Sequence, residues 1–461
     1  MNNETPSLVI RSALGRLLAF MMFTAATQQV HAGCIESDEW IQPVLHADSP
    51  QVTDRAHAML RELVRQSLTH SQAVGAATLL AEAAAIDVEG ARSGRLPRAA
   101  LTGGLGYSNQ TLQGVRQPAG RLARGAVSVS APLYDAGRIA QTVSWREQLA
   151  KAARHAQLDT REQLGLQTVS LALDRSRYFK HEQVSRQHAR RLACLVDSLE
   201  QVVQADPGRR SELDQARKTL QEAQLSLERS LSTKHQIERR LRRLTGADLP
   251  QLEGLTTVLG ETPDLEAILA LTNQSSAVGQ LIAQADAADA QARALAAQGR
   301  PQVDLALDGS RTSGVIDSNG WQIGLNITIP IFDAGIRYAT DAAARRAQAA
   351  RMQVADTSES RLSRVSEIHA QAGSLAREST DLAAILENSA RLRQATLMQW
   401  RKLGRRSLFD VMSAERDHFG LRVAQVDALH DRQQANALLW SLGPGVDAWL
   451  RDTHPTDRTD R

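Results

Sequence analysis

Two long helical stretches without proline, each entered directly from a strand, restrict this chain more than any other feature of its sequence. The run from Gly125, GAVSVSAPLYDAGRIAQ, is answered from Gly324 by GLNITIPIFDAGIRYAT. Each is a strand-like alternation, then Pro, two apolar residues, Asp-Ala-Gly and a helical pattern. Asp135 and Asp333 stand 198 positions apart. Gly208-Arg209-Arg210-Ser211 and Gly404-Arg405-Arg406-Ser407 are 196 apart, and Leu244-Thr245-Gly246 and Ser441-Leu442-Gly443 about 197. Three matches at nearly constant offset predict two structural repeats. Beyond Gly137 the chain runs to about 205 with no Pro and one Gly, Gly165; residues 336 to about 402 contain only Gly373. At 1.5 Å per residue each helix reaches on the order of 100 Å. No globular domain contains such a rod, but a tunnel across a wide compartment could.

The strands before these rods have two faces. Leu101, Gly103, Leu105 and Tyr107 alternate with Thr102, Gly104, Gly106 and Ser108, and Val127, Val129, Ala131 and Leu133 with Ser128 and Ser130. In the second repeat Val303, Leu305 and Leu307 alternate with Asp304, Ala306 and Asp308. The run Trp321, Ile323, Leu325, Ile327, Ile329, Ile331 alternates with Gln322, Gly324, Asn326 and Thr328. Period two marks strands with one oily and one wet face. Each pair is expected to be a hairpin, joined by loops at 109–121 and from Ser310 to Gly320. About 9–11 residues per strand suits a membrane β-strand. Nothing else in the chain reads as strand, so the oily faces lack a second sheet. Four strands do not close a barrel alone, because a stable one takes about eight or more. Several copies must therefore pool their strands.

Returning helices are expected at about 211–244 and 407–442, each launched by Gly-Arg-Arg-Ser with serine as N-cap. Helices at about 53–95 and 264–298 precede the hairpins and end at Pro97 and Pro301. The division expected is thus a signal peptide (1–32), a first repeat (33–246), a second repeat (247–443) and a polar tail (444–461). The first repeat holds strands at about 99–109 and 122–133 with helices 137–205 and 211–244. The second holds strands at about 302–311 and 321–331 with helices 336–402 and 407–442. At the start, Arg11 and Arg16, the apolar run Leu17 to Ala26 and Val30-His31-Ala32 have the form of a secretory signal. Cys34 follows Gly33 as at a lipoprotein start, but His31 stands where that signal wants an apolar residue, which favours plain cleavage. With only Cys34 and Cys194 present, no disulfide framework is expected, nor a bond between the two. A net charge of +3 is close to balanced, no block of like charge suggests nucleic acid, and aromatics at 3% fit long packed helices better than a compact enzyme core.

These residues resemble the TolC-like outer-membrane factors, the exit ducts of bacterial export machines, from about 53 to 443. The resemblance rests on Pro132-Leu133-Tyr134-Asp135-Ala136-Gly137 and Pro330-Ile331-Phe332-Asp333-Ala334-Gly335, the strand-to-helix junctions, and on Leu403-Gly404-Arg405-Arg406-Ser407-Leu408-Phe409-Asp410-Val411. It implies a mainly α fold with membrane β: a duplicated β-hairpin plus a long coiled-coil hairpin. As a homotrimer it would form a barrel of twelve strands in the outer membrane, continued by an α-helical tunnel through the periplasm. It also implies the partners, a periplasmic adaptor and an inner-membrane ABC exporter or proton-driven pump, with no cofactor. Asp410 matches an aspartate that constricts the closed entrance; where the family often carries a second one, this chain has Ser413. Arg406 matches an arginine that ties neighbouring coiled coils shut, with Asp214 as its expected partner. Leu403, Gly404, Arg405 and Ser407, with Gly208, Arg209 and Ser211, match the surface on which the adaptor docks.

Other constellations carry less. His181 and His188, seven apart, are expected on solvated helix surface, and Gly103-Gly104-Leu105-Gly106 lacks the helix and lysine of a phosphate loop. No nucleophile–base–acid set is present, which argues against an enzyme. Two functions remain open: a passive duct for type I protein secretion or small-molecule efflux, and a periplasmic coiled-coil scaffold or adhesin stalk without a pore.

Overall fold

The computed structural model describes residues 50–109, 111–112, 115–116, 119–250, 255–315, 317–403 and 405–451. The signal sequence, Cys34 and Gly404 lie outside these. The chain opens with α1 (Pro50–His70) and α2 (Gln72–Arg92), where one helix was expected. The break is at Ser71, whose hydroxyl accepts the Val74 amide at 3.3 Å and so starts a second helix. Strands β1 (Arg98–Ser108) and β4 (Gly120–Tyr134) follow, then α3 (Arg138–Ala205) and α4 (Arg210–Thr245). The second half repeats the order: α5 (Leu265–Thr272), α6 (Ser276–Gln298), β5 (Gln302–Gly314), β6 (Ser318–Thr328), α7 (Ala334–Met398) and α8 (Leu408–Leu442). Here too an expected helix is divided, at 273–275 between α5 and α6, while Asp264 caps the start of α5 through the Ala267 amide. No helix among the described residues is long and apolar enough to cross a membrane.

Contacts divide the chain into two compact units that do not coincide with the repeats. One unit contains the strands. Its sheet has the order β1-β4-β5-β6, antiparallel throughout, with a small ribbon of β2 (Thr111–Leu112) and β3 (Val115–Arg116) where only loop was expected. Strands β5 and β6 run further toward each other than the sequence suggests, to Gly314 and from Ser318. Strand β6 stops at Thr328, before Pro330 removes a ladder donor, so Ile329 and Ile331 lie beyond it. The register lines up apolar rows across all four strands. Leu101, Val127, Gly309 and Trp321 stand opposite one another, as do Ala99, Val129, Leu307 and Ile323. The alternate rows are polar, for example Ser128, Asp308 and Gln322.

The same unit holds α9 (Val446–Arg451), whose Val446 and Leu450 are buried, so the stretch after Leu442 is structured as far as Arg451 rather than a loose tail. Gly445 bends into it at φ 102°, and Glu162 accepts the Val446 amide at 2.7 Å.

The other unit is a packed helical body. Leu192, Leu195 and Leu199 of α3 meet Leu213 and Ala216 of α4, Leu397 of α7 and Leu408, Val411 and Met412 of α8. Buried polar side chains fix its loops. Gln433 donates to the carbonyls of Leu255 and Thr256 and accepts the Leu259 amide, while Asn436 donates to the carbonyls of Leu259 and Glu261. Cys194 is disulfide-bonded, against the sequence expectation, and the one other cysteine of the chain lies outside the described residues.

Candidate gate, docking turns and junctions

The strand-to-helix junctions are aspartate caps. Asp135 accepts the amides of Gly137 at 3.0 Å and Ile139 at 2.5 Å, which satisfies donors that the first turn of α3 would leave bare. The reversal after Tyr134 needs a left-handed backbone at Ala136 (φ 50°) and Gly137 (φ 82°), and glycine takes that conformation without strain. Asp333 does the same for α7, accepting from Gly335 at 2.8 Å and Ile336 at 3.1 Å. Pro132 sits at a register shift between β4 and β5, and Pro330 follows the end of β6. The repeated motif is therefore a device for leaving a sheet directly into a helix.

The two helix-to-helix turns differ. In the second repeat α7 ends in a π turn (Gln399–Leu403), and Ser407 then caps α8. Asp410 accepts from both the amide and the hydroxyl of Ser407 at 3.0 Å, and the Ser407 hydroxyl accepts the Asp410 amide at 3.2 Å. This is a reciprocal capping box. Hydrogen bonds from the Ser407 backbone, then from its side chain, hold the Asp410 carboxyl below the usual carboxylate range, so it is ionised at neutral pH. Phe409 beside it is 64% exposed. Arg405 and Arg406 are exposed, and the Arg405 amide donates to the Gln399 carbonyl.

In the first repeat serine is not the cap. Asp206 caps a 3-10 turn (Pro207–Arg209) through the Gly208 amide, and α4 begins at Arg210, leaving Ser211 exposed inside its first turn. The difference follows from Asp206-Pro207, which supplies a cap two residues before the glycine. Arg209 pairs with Glu212 at 2.7 Å and lies over the Trp400 ring at 6.0 Å, which brings the two turns together. Arg406 does not reach Asp214 within this chain. Its guanidinium donates to Gln399 at 3.3 Å, which stands in the π turn and is the nearer partner.

Clusters that the sequence did not single out lie along the same helices. Glu415 of α8, 2% exposed, accepts from Arg191 of α3 at 3.2 Å and from Arg393 of α7 at 3.3 Å. Burial and the neighbouring Arg393 push buried Arg422 down to about 10. His181 is bonded to Asp427 at 2.8 Å, and Arg177 joins Asp427 and Asp431. His188 stacks on Phe419 at 4.6 Å, and burial lowers it to about 4. Neither histidine is the solvated surface group expected. Pairing between sequence-distant helices gave no local signal for any of these.

Residues 268–443 match the family model described as outer membrane efflux protein. No curated protein matches the chain. Solved structures similar to it include a membrane protein from Pseudomonas aeruginosa, 21% identical with a TM-score of 0.76 over 84% of this chain and 92% of that one. The outer membrane protein VceC from Vibrio cholerae is 17% identical, with a TM-score of 0.74 over 84% and 96%. CusC, described as forming a transmembrane channel, is 19% identical, with a TM-score of 0.74 over 87% and 95%. Most of the second repeat thus matches the outer membrane efflux protein model, and the chain as a whole shares the fold of these solved outer-membrane channel structures.

Proposed function

We propose that the chain is the outer-membrane exit duct of a tripartite export system, three copies forming a passive channel that continues into the periplasm. The observation that carries this reading is the sheet. Leu101, Leu105, Trp321, Ile323, Leu325 and Ile327 are 60–90% exposed on one face, and β1 and β6 each present an open edge. In water, such a patch and such edges favour aggregation; pooled with the sheets of two further copies, the edges close and the patch meets lipid. The periplasmic scaffold gives the strands no such use. Of the two cargo classes, the matched efflux domain favours small molecules over a secreted protein.

In this reading the π-turn end of α7 and the start of α8 form the periplasmic entrance. Three Asp410 carboxylates near a three-fold axis make an anionic constriction that attracts cations. Arg406 and Asp214, unpaired with each other in one chain, would meet across neighbouring copies. Leu403, Gly404, Arg405 and Ser407, with Gly208, Arg209 and Ser211, offer the surface for a periplasmic adaptor. An adaptor that binds the open entrance better shifts the closed population toward it. The pump in the inner membrane supplies the work.

The test is extraction of the mature protein from outer membranes with detergent, sizing by light scattering and recording in planar bilayers. Trimers that conduct support the duct. A water-soluble monomer with no conductance would leave the scaffold reading standing instead.

A further inference from the structure

The last turns of α4 carry Arg239, Arg240, Arg242 and Arg243, all exposed. Among the described residues no ion pair or side-chain hydrogen bond joins any of these four guanidiniums to another side chain. Elsewhere on the helix Arg217 pairs with Glu200, Lys218 with Glu222 and Lys234 with Glu182, while among the described residues Arg210 and Arg229 stand singly. The one carboxylate among the arginines, Glu238, is turned inward to Arg175 at 3.0 Å. At 100° per residue, Arg239, Arg242 and Arg243 fall on the arc opposite Ile237 and Leu241, which are buried, and Arg240 lies on its flank, about 60° from Ile237.

Cations suit a helix C-terminus, and that accounts for Arg242 and Arg243 in the last turn. It does not account for Arg239 and Arg240, one turn earlier. Three like-charged pairs at three- and four-residue spacing (239 with 242 and 243, 240 with 243) repel one another. Four exposed arginines crowded into five residues are complementary to something anionic outside the chain. Guanidiniums are planar forks that bind carboxylates two bonds at a time.

We propose that this face of α4 docks on the carboxylate-bearing peptide–glycan network of the bacterial cell wall, anchoring the duct where it passes through the wall. The inference rests on the outer-membrane reading, which puts the helices in the compartment that holds that polymer. The arginines belong to the unit that has no strand. Three copies would present the face three times, so weak exposed contacts add up by avidity on a repeating polymer.

The test uses the full mature protein in nanodiscs of zwitterionic lipid, mixed with isolated cell-wall sacculi and pelleted. Wild type should pellet with sacculi, be released by about 0.5 M NaCl, and fail to pellet with sacculi whose carboxylates have been amidated. Replacing the four with glutamine (Arg239→Gln, Arg240→Gln, Arg242→Gln, Arg243→Gln) should lower the bound fraction about ten-fold or more. Trimer size and conductance should stay unchanged. A variant that pellets like wild type overturns the proposal, as do equal binding to amidated sacculi and preference for anionic lipid vesicles. Loss of the trimer in the variant also overturns it, by assigning the face to a second copy of the chain. A conducting trimer that ignores sacculi sinks this inference alone, whereas a protein that never conducts sinks the duct reading.

Discussion

Glu415→Gln is the substitution that most directly probes how the helices around the entrance are held. Glu415 is on α8, Arg191 on α3 and Arg393 on α7, so one carboxylate ties three helices from both repeats. All three side chains are under 10% exposed, and solvent does not screen them. Removing one partner of such a buried pair costs about 3–5 kcal/mol, because uncompensated charge stays behind. Arg191 and Arg393 each keep a further partner, which places the expected loss nearer 2–4 kcal/mol. Crowding works in the same direction. Arg422 already sits at about 10, below the ordinary guanidinium range, because it is buried and repelled by Arg393. Glutamine keeps the shape and removes only the charge. Because a large multi-unit chain has no single unfolding free energy, the assay is amide hydrogen exchange at residues 408–420. Opening should become roughly 30- to 1,000-fold more frequent there and stay unchanged in β1 to β6. A rise of less than about three-fold would refute the assignment of Glu415 as the clamp. Replacing all three members by Met or Leu should restore protection, since a packed apolar triad is as stable as a buried ionic one.

Three further outcomes follow from the geometry. Asp410→Asn keeps an acceptor for the Ser407 cap but removes the charge, so trimers should conduct with weaker block by divalent cations; unchanged block would separate Asp410 from the constriction. Burial depresses His188 and His430 to about 4 in the folded chain, whereas the unfolded chain titrates near 6.5. The unfolded state therefore binds more protons between those values, and stability present above about pH 6.5 is lost as pH falls toward 4, by up to about 3 kcal/mol per histidine. His188→Phe should flatten that slope, read as the pH dependence of amide-exchange protection around residue 188, and a slope equal to wild type would count against the burial. In Gly445→Ala, a Cβ would lie 2.8 Å from the Glu162 carboxylate at a backbone φ of 102°. That strain of about 1–3 kcal/mol should release α9 to limited proteolysis without changing conductance; a resistant C-terminus would show that the turn adapts.

Legibility followed the range of the interactions. The junctions were readable because Asp135 and Asp333 act on amides two to four residues away, and the same local logic made Ser407 a correct cap. It failed at Ser211, where Asp206, five residues upstream and followed by Pro207, takes the role first. Strand alternation was readable as well, because period two needs no knowledge of partners. The extent of β5 was not, since Arg311 to Gly314 gain their ladder from β4 and β6. Nor could the splits of the helices before the hairpins be read, where Ser71 and the turn at 273–275 are interruptions that propensity alone does not rank above continuation.

The buried ionic and histidine clusters mark the limit of that reading, and they bear on how a channel of this kind could move. Arg191 and Glu415 are 224 positions apart, and Arg177 and Asp427 are 250. Each joins α3 of the first repeat to α8 of the second, so the helices that lead to the Asp410 turn are tied to the other repeat by charge as well as by the leucine core. The Asp410 turn itself is tied differently. Its bonds are a capping box, one bond from Arg406 to Gln399 and exposed Phe409, all local and partly wet. Exposed polar contacts are worth about 0–1 kcal/mol each, several-fold less than the buried clamp. In the proposed duct, a docking partner with a few kcal/mol of preference for the open form would therefore rearrange the turns while the clamp at Glu415 stays shut, and that residue would be the fixed point of the opening movement.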